Sequence, residues 1–73
     1  MDTAKLVTMA NQIAGFFAAQ RGEPAESAAA HIAANWDPRM RAGLAAHLAA
    51  GGEGLSPIAR EAAEILAGTV ADA

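Results

Sequence analysis

Apolar side chains recur along this chain with the period of an α-helix, and no stretch alternates apolar and polar residues as a half-buried strand does. The first recurrence lies within residues 4–21, between Thr3, a favoured N-cap residue, and Arg21-Gly22. The spacing predicts an amphipathic helix. Its core-facing stripe comprises Leu6, Met9, Ala10, Ile13, Phe16 and Phe17 and extends toward Gln20.

A second helix is predicted to begin at Pro24, because proline fits the first helical position. Glu23 and Glu26 suit the positive end of its dipole. The apolar positions of this helix are Ala25, Ala28, Ala29, Ile32, Ala33 and Trp36. Asp37-Pro38 then ends it and starts the next helix, since Asp is a favoured N-cap and proline suits the position that follows.

The third predicted helix runs over residues 38–50 and ends at Gly51-Gly52, which suit a left-handed cap. Its inward positions are Met40, Leu44, His47 and Leu48. Ser56-Pro57 repeats the pattern of cap and proline and opens a fourth helix, with an Arg60–Glu64 pair on its outer face. The inner face of that helix carries Ile58, Ala62, Ile65 and Leu66.

These elements predict an all-α fold, a small bundle of three to four short helices that forms a single domain over residues 1–73. The core is expected over residues 4–67, followed by a C-terminal tail that frays from Gly68. Much of the 53% hydrophobic content is alanine, which contributes little transfer free energy. Because there is no cysteine for a disulfide, we expect association with another chain to support so small a fold.

Charge and hydropathy argue against two classes of partner. The chain has five Lys and Arg against eight Asp and Glu, with a pI near 5.1, so it lacks the basic surface of a nucleic-acid-binding protein. Its longest uncharged stretch, residues 6–20, is shorter than the roughly 20 residues of a membrane span. The first residues do not have the pattern of a signal peptide, and a cytoplasmic location is therefore expected.

The run Asn35-Trp36-Asp37-Pro38-Arg39-Met40-Arg41 places the only tryptophan and two of the five basic residues at one helix junction. Arginines in the first turn of a helix oppose its dipole by roughly 0.3–1 kcal/mol. Since Trp and Arg are enriched in interface hot spots, we predict that Trp36, Asp37, Arg39 and Arg41 bind a partner. The alternatives are a weak Arg–Asp pair on the surface and a Trp36 ring buried in the core.

The first predicted helix offers a second candidate surface, because its back face is uncharged. A glycine inside a helix costs roughly 1 kcal/mol relative to alanine, which makes sense at Gly15 if another backbone approaches closely there. We therefore predict that Asn11, Gln12 and Gly15 contact a partner. The alternative is an alanine-rich surface that contacts nothing.

The sequence offers little chemistry of its own. His31 and His47 lie on different predicted helices, without a cysteine or a carboxylate at ligand spacing, so no metal site is predicted. Gly51-Gly52-Glu53-Gly54 follows a helix rather than a strand, and a helix cap explains these glycines better than a phosphate loop does. We expect the chain to have no catalytic residues and to bind no cofactor.

Three segments carry a family resemblance. They are Met9-Ala-Asn-Gln-Ile-Ala-Gly-Phe-Phe17, His31-Ile32 leading into Trp36-Asp-Pro-Arg-Met-Arg41, and His47 with Gly51-Gly-Glu-Gly-Leu-Ser-Pro57. With these segments, residues 5–63 resemble the small delta subunit of the soluble NAD-dependent, molybdenum-containing formate dehydrogenases.

The resemblance implies a non-catalytic subunit of a larger complex. The larger subunits of that family carry bis-molybdopterin guanine dinucleotide, iron–sulfur clusters and flavin, none of which is expected to bind here. The implied partner is the large catalytic subunit, and the implied role is support of its assembly, its stability or its insertion and retention of the molybdenum cofactor. Two alternatives stay open: a small self-associating helical module, forming a homo-oligomer without an enzymatic partner, and a chaperone that acts only transiently.

Overall fold

The computed structural model describes the backbone of residues 2–72 and the side chains of residues 2–68. This backbone forms four helices and no strand, which confirms the predicted all-α class. The helices are α1 (Thr3–Ala18), α2 (Pro24–Asn35), α3 (Pro38–Ala49) and α4 (Pro57–Asp72). α1 ends before the predicted boundary at Arg21-Gly22, while α4 is helical through Asp72. Fraying from Gly68 stays a prediction.

The start of α1 differs from the sequence prediction. Asp2 is the N-cap, and its carboxylate accepts a hydrogen bond from the backbone N–H of Ala4 at 3.3 Å. Thr3 is already the first helical residue, so its prediction as the N-cap is wrong. A carboxylate at this position also interacts favourably with the positive end of the helix dipole, which a hydroxyl does only weakly.

Asp37 and Ser56 cap α3 and α4 as predicted. The Asp37 carboxylate accepts a hydrogen bond from the N–H of Met40 at 2.8 Å, and the Ser56 hydroxyl accepts one from the N–H of Ala59 at 3.2 Å. In both cases the cap is followed by proline at the first helical position, whose missing N–H would have had no partner inside the helix.

Helices α1, α2 and α4 pack against one another, and α3 lies against α1 and α4. The main core cluster draws on all four helices and consists of Leu6, Ala10, Ala14, Ile32, Trp36, Leu44, Ala59 and Ala63. A smaller cluster between α2 and α4 contains Ala28, Ala29 and Ala62. Among the described residues, Ile32 and Leu44 are the largest side chains that are fully buried. The core is thus mostly alanine, which lets the helices pack closely but contributes little hydrophobic free energy.

Three predicted core-facing positions are wrong. Phe16 is 62% exposed, and Ala33 and Gln20 are also exposed. Successive helical residues point about 100° apart, so the adjacent rings of Phe16 and Phe17 cannot both face the core. The buried line of α1 follows Leu6, Ala10 and Ala14, and this line favours Phe17, which is half-buried.

Helix α3 ends in a Schellman motif, as the two glycines predict. The N–H of Gly52 donates to the carbonyl oxygen of His47 at 2.9 Å, and the N–H of Gly51 donates to that of Leu48 at 3.0 Å. Gly51 and Gly52 have φ angles of 121° and 65°, in the left-handed region that favours glycine. These bonds satisfy carbonyls that the end of the helix leaves without partners.

The segment after this cap is held by side chains of both flanking helices. His47 Nε2 donates to the carbonyl oxygen of Glu53 at 2.7 Å. Arg60 Nη2 donates to the carbonyl oxygens of Gly51 and Gly52 at 2.8 and 3.2 Å. The predicted Arg60–Glu64 pair is therefore wrong, because carbonyl oxygens at the end of α3 offer the guanidinium fixed acceptors at the negative end of a helix dipole.

Candidate protein-interaction surface

The predicted partner-binding residues lie in two separate regions, the junction between α2 and α3 and the outer side of α1. No hydrogen bond or ring contact within the described residues joins the two groups. Each region combines residues that hold the fold together with residues that face solvent. The two roles are distinguished by burial and by hydrogen bonding.

At the junction, the structure uses three of the four predicted residues internally. Trp36 is 6% exposed and belongs to the core cluster, so its ring is not a surface anchor. Asp37 caps α3, and Arg41 is half-buried, with Nη1 donating to the carbonyl oxygen of Ala33 at 3.4 Å near the end of α2. Arg39 is exposed and makes no hydrogen bond or ion pair with the described residues. Arg39 is therefore the junction residue available to a partner.

The Asp37 cap can be tested directly. Replacing Asp37 by Ala should lower the free energy of unfolding of the isolated chain by about 1 kcal/mol, because the N–H of Met40 loses its acceptor. Urea denaturation followed by circular dichroism measures this change. Glu23→Ala is the matched control, since Glu23 is the N-cap of α2 but makes no side-chain capping bond. Equal losses in the two variants would contradict the assigned role of Asp37.

On α1, the predicted residues also divide into two kinds. Asn11 is half-buried, and both ends of its amide bind the segment before α4: Nδ2 donates to the carbonyl oxygen of Gly54 and Oδ1 accepts from the N–H of Ser56, each at 2.9 Å. Gln12 and Gly15, by contrast, are exposed. Asn11 thus fastens the loop, and Gln12 and Gly15 remain available to a partner.

The structure distinguishes two helical glycines. A Cβ atom at Gly15 would lie in open space, with nothing within 4 Å. At Gly43 of α3, a Cβ atom would lie only 2.7 Å from Cδ1 of Leu6 in α1. Gly43 is therefore the helical glycine that leaves room for a side chain of another helix, and sequence reasoning did not single it out. Packing within the described chain does not require a glycine at position 15.

A groove of about 320 Å³ lies on the outer side of α1 and α2, lined by Gln12, Ile13, Phe16, Phe17 and His31. The rings of Phe16 and Phe17 meet edge to face, with centroids 5.1 Å apart and planes at 84°. Phe17 also contacts the His31 ring at 6.0 Å and 61°. These three aromatic side chains were not predicted as site residues. The sequence feature that could have indicated an exposed aromatic side chain is the pair of adjacent phenylalanines, because one of the two has to point away from the core.

Two stretches on this side of the molecule, residues 6–20 and 27–36, lack formal charge. All Lys, Arg, Asp and Glu residues of the chain lie outside residues 6–20 and 27–36. We call the exposed part of these two stretches, including the groove, the uncharged face. Residues 6–20 and 27–36 carry only alcohols, amides, His31 and the Trp36 indole as polar side-chain groups, and their exposed positions are mainly small or apolar.

The described side chains contain no group of three or more His, Asp or Glu placed to hold a metal ion. None of the helices in the described part of the chain combines the length and hydropathy that a membrane span requires.

Comparison with known protein families identifies the family to which the chain belongs. Residues 5–63 match the family model of FdsD, the delta subunit of NADH-dependent formate dehydrogenase. The chain belongs to the FdsD family. No curated protein and no solved structure matches it. The FdsD match confirms the family resemblance of the three sequence segments, and it covers α1, α2, α3 and part of α4.

Both candidate regions lie within the part that matches FdsD. The match includes the groove between Gln12 and His31, the junction around Arg39 and the loop that Asn11 fastens. The features that distinguish this fold are therefore features of the FdsD portion of the chain.

Proposed function

We propose that this chain is a non-catalytic, cytoplasmic subunit of a formate dehydrogenase complex and that it docks on the large, molybdenum-containing catalytic subunit. The family match over residues 5–63 is the observation that carries this proposal. The role of the chain is to support assembly or stability of the large subunit, including insertion or retention of its molybdenum cofactor. The chain supplies a surface for this and no reacting group.

The shape and charge of the surface support a docking role. Phe16 is 62% exposed although its ring touches Phe17, and Arg39 is exposed without a hydrogen bond or ion pair to the described residues. An exposed large apolar side chain and an arginine opposing a helix dipole each have a small unfavourable free energy in the free chain. Contact with another protein would remove both, because aromatic and arginine side chains contribute strongly at interfaces.

The remaining predicted residues have a supporting role in this proposal. Trp36, Asp37 and Arg41 hold the junction in shape, and Asn11 holds the loop beside α1. Arg39, Gln12 and Gly15 are proposed to touch the partner. Substitutions in the first group should act through stability, whereas those in the second should act through binding.

Deleting the chain from its native host tests the proposed function. We expect lower formate oxidation and lower molybdenum content per large subunit, since the large subunit would lose the contact that stabilises its loaded form. The measurements are activity, metal analysis and complex size by native mass spectrometry, with the wild-type chain restored as the control. Full metal content with faster subunit dissociation would restrict the role to a structural one.

The same deletion separates the alternatives. Normal activity, normal metal content and an unchanged complex would contradict the proposal and favour a self-associating module. Loss of activity without co-purification of the chain in the active complex would identify a transient chaperone instead of a resident subunit. A resident subunit should remain at stoichiometric amounts throughout purification.

A further inference from the structure

The groove on the uncharged face carries an inference about the chemistry of the partner. Among the described side chains, Phe16 is the large hydrophobic residue that is exposed. Its exposed fraction is 62%, and it lies at the edge of the groove. The remaining large apolar residues of the described chain are at least half-buried, so this exposure is specific to one position. Interface hot spots have this character: an aromatic side chain beside a concave surface.

The helical positions around Phe16 form a continuous stripe. Gln12, Gly15, Phe16 and Ala19 follow the spacing i, i+3, i+4, i+7 on α1 and its end, and all four are exposed. Across the groove, His31 and Ala34 are three residues apart on α2 and are exposed as well. Apart from Phe16 and the rim residues Gln12 and His31, the exposed positions of these two stripes are glycine and alanine. A second helix can therefore approach closely alongside it.

Electrostatics restricts what can cover this surface. Because residues 6–20 and 27–36 carry no formal charge, a charged partner side chain placed here would lose hydration without gaining a counter-charge. The complementary surface of the partner is therefore uncharged and apolar at its centre. Gln12 and His31, at the rim of the groove, can form hydrogen bonds with polar groups at the edge of such a partner.

The size of the groove indicates how it is filled. Its volume of about 320 Å³ is at the lower end of the range for binding pockets, roughly 300–1,000 Å³. A cavity of this size suits one large apolar side chain better than an extended ligand. Docking of an amphipathic helix in a groove commonly depends on anchors of this kind.

We infer that the groove lined by Ile13, Phe16 and Phe17 binds an uncharged amphipathic helix of the large catalytic subunit, which inserts one large apolar side chain beside the Phe16 ring. This inference rests on the proposed function, because it identifies the kind of surface through which the delta subunit docks. It makes the uncharged face, rather than the junction around Arg39, the main contributor to affinity.

Binding of the full-length chain to formate dehydrogenase purified from a strain lacking it tests this inference. Phe16→Glu should weaken binding, measured by titration calorimetry, by about tenfold or more, because it buries a charge against an apolar surface. Ala45→Glu is the matched control, since it adds the same charge at an exposed position of α3 and should change the dissociation constant less than about twofold. Phe16→Leu should bind nearly as well as the wild-type chain.

The outcomes distinguish failure of the inference from failure of the proposed function. Circular dichroism should show the same fold for both glutamate variants, because both positions are exposed. If the wild-type chain does not bind the enzyme, the proposed function is wrong. If the wild-type and Phe16→Glu chains bind equally well, only the groove assignment is overturned. A dimer of the free chain that Phe16→Glu dissociates, with enzyme binding unchanged, would show that a second copy occupies the groove, which also overturns the assignment.

A photo-crosslinking residue at position 16 identifies the contacted segment in the assembled complex. The expected product joins this position to an uncharged amphipathic helix of the large subunit. Cross-links to a charged surface, or to another subunit only, would contradict the inference.

Discussion

Replacing Trp36 by Ala is expected to lower the free energy of unfolding of the isolated chain by about 3–5 kcal/mol. Trp36 is 6% exposed and belongs to the main core cluster, in which four of the other seven buried residues are alanines. Small domains of this length rarely have more than about 3–5 kcal/mol of net stability from their core. The variant should therefore be largely unfolded at room temperature.

Urea denaturation followed by circular dichroism measures the loss, and the fluorescence of the only tryptophan reports its burial in the wild-type chain. Trp36→Phe should keep most of the stability, because the smaller ring still fills much of the site. Phe16→Ala is the control on the surface, and it should change the free energy of unfolding by less than about 0.5 kcal/mol. A stable Trp36→Ala chain that has lost only partner binding would contradict the core assignment.

Asn11→Ala should lower the free energy of unfolding by about 2 kcal/mol, since it removes two hydrogen bonds of about 0.5–1.5 kcal/mol each. The loss leaves the carbonyl oxygen of Gly54 and the partly buried N–H of Ser56 without the partners that α1 provides. Chemical denaturation measures the stability, and hydrogen exchange at the Ser56 amide reports the local release of the loop.

Gln12→Ala provides the matched control, because Gln12 is the next residue on the same helix and is exposed without a hydrogen bond to the described chain. Its effect should stay within about 0.5 kcal/mol. Asn11→Asp should lower the free energy of unfolding by at least part of the amount lost in Asn11→Ala. Its carboxylate can still accept a hydrogen bond from the N–H of Ser56, but it has no proton to donate to the carbonyl oxygen of Gly54. Equal effects of Asn11→Ala and Gln12→Ala would show that the loop does not depend on this amide.

The helices were predictable because local signals mark them. Proline at the first position of three helices, Asp37 and Ser56 as caps, and the glycine pair after α3 act within a few residues along the chain. The Schellman motif could be read from Gly51-Gly52 alone. The N-cap of α1 was misassigned by one residue because Asp2 and Thr3 are both good capping residues and neighbouring positions compete for the role.

Contacts between distant residues were not predictable in the same way. Asn11 and Arg60 act on a loop that lies far from Asn11 in sequence, and an amide on a helix gives no indication of which backbone groups it will meet. For the same reason the sequence did not indicate that Gly43, rather than Gly15, is the helical glycine against which a side chain of another helix packs. The choice of Phe17 over Phe16 for the core depended on the exact orientation of α1, which periodicity alone does not fix.

The candidate site shows the same division. The absence of charge from residues 6–20 was visible in the sequence, and Gln12 and Gly15, which were predicted from it to contact a partner, are exposed. The groove itself needs His31 from a different helix, so it exists only once α1 and α2 have packed. The sequence alone did not show whether Trp36 lies in the core or at an interface, because a large ring with one polar N–H group suits both environments.

The two hydrogen bonds of Asn11 also determine how early during protein synthesis α1 can complete its contacts. Their acceptor and donor follow Asn11 by 43 and 45 residues, and at about 5–20 residues per second a ribosome needs roughly 2–9 s to reach them. Throughout that interval the nascent α1 cannot complete its packing, because Leu44 and Ala59 of the core cluster are also still missing or newly made. Although α1 is synthesised before the other three helices, it can complete its contacts only after the segment that precedes α4 has been made.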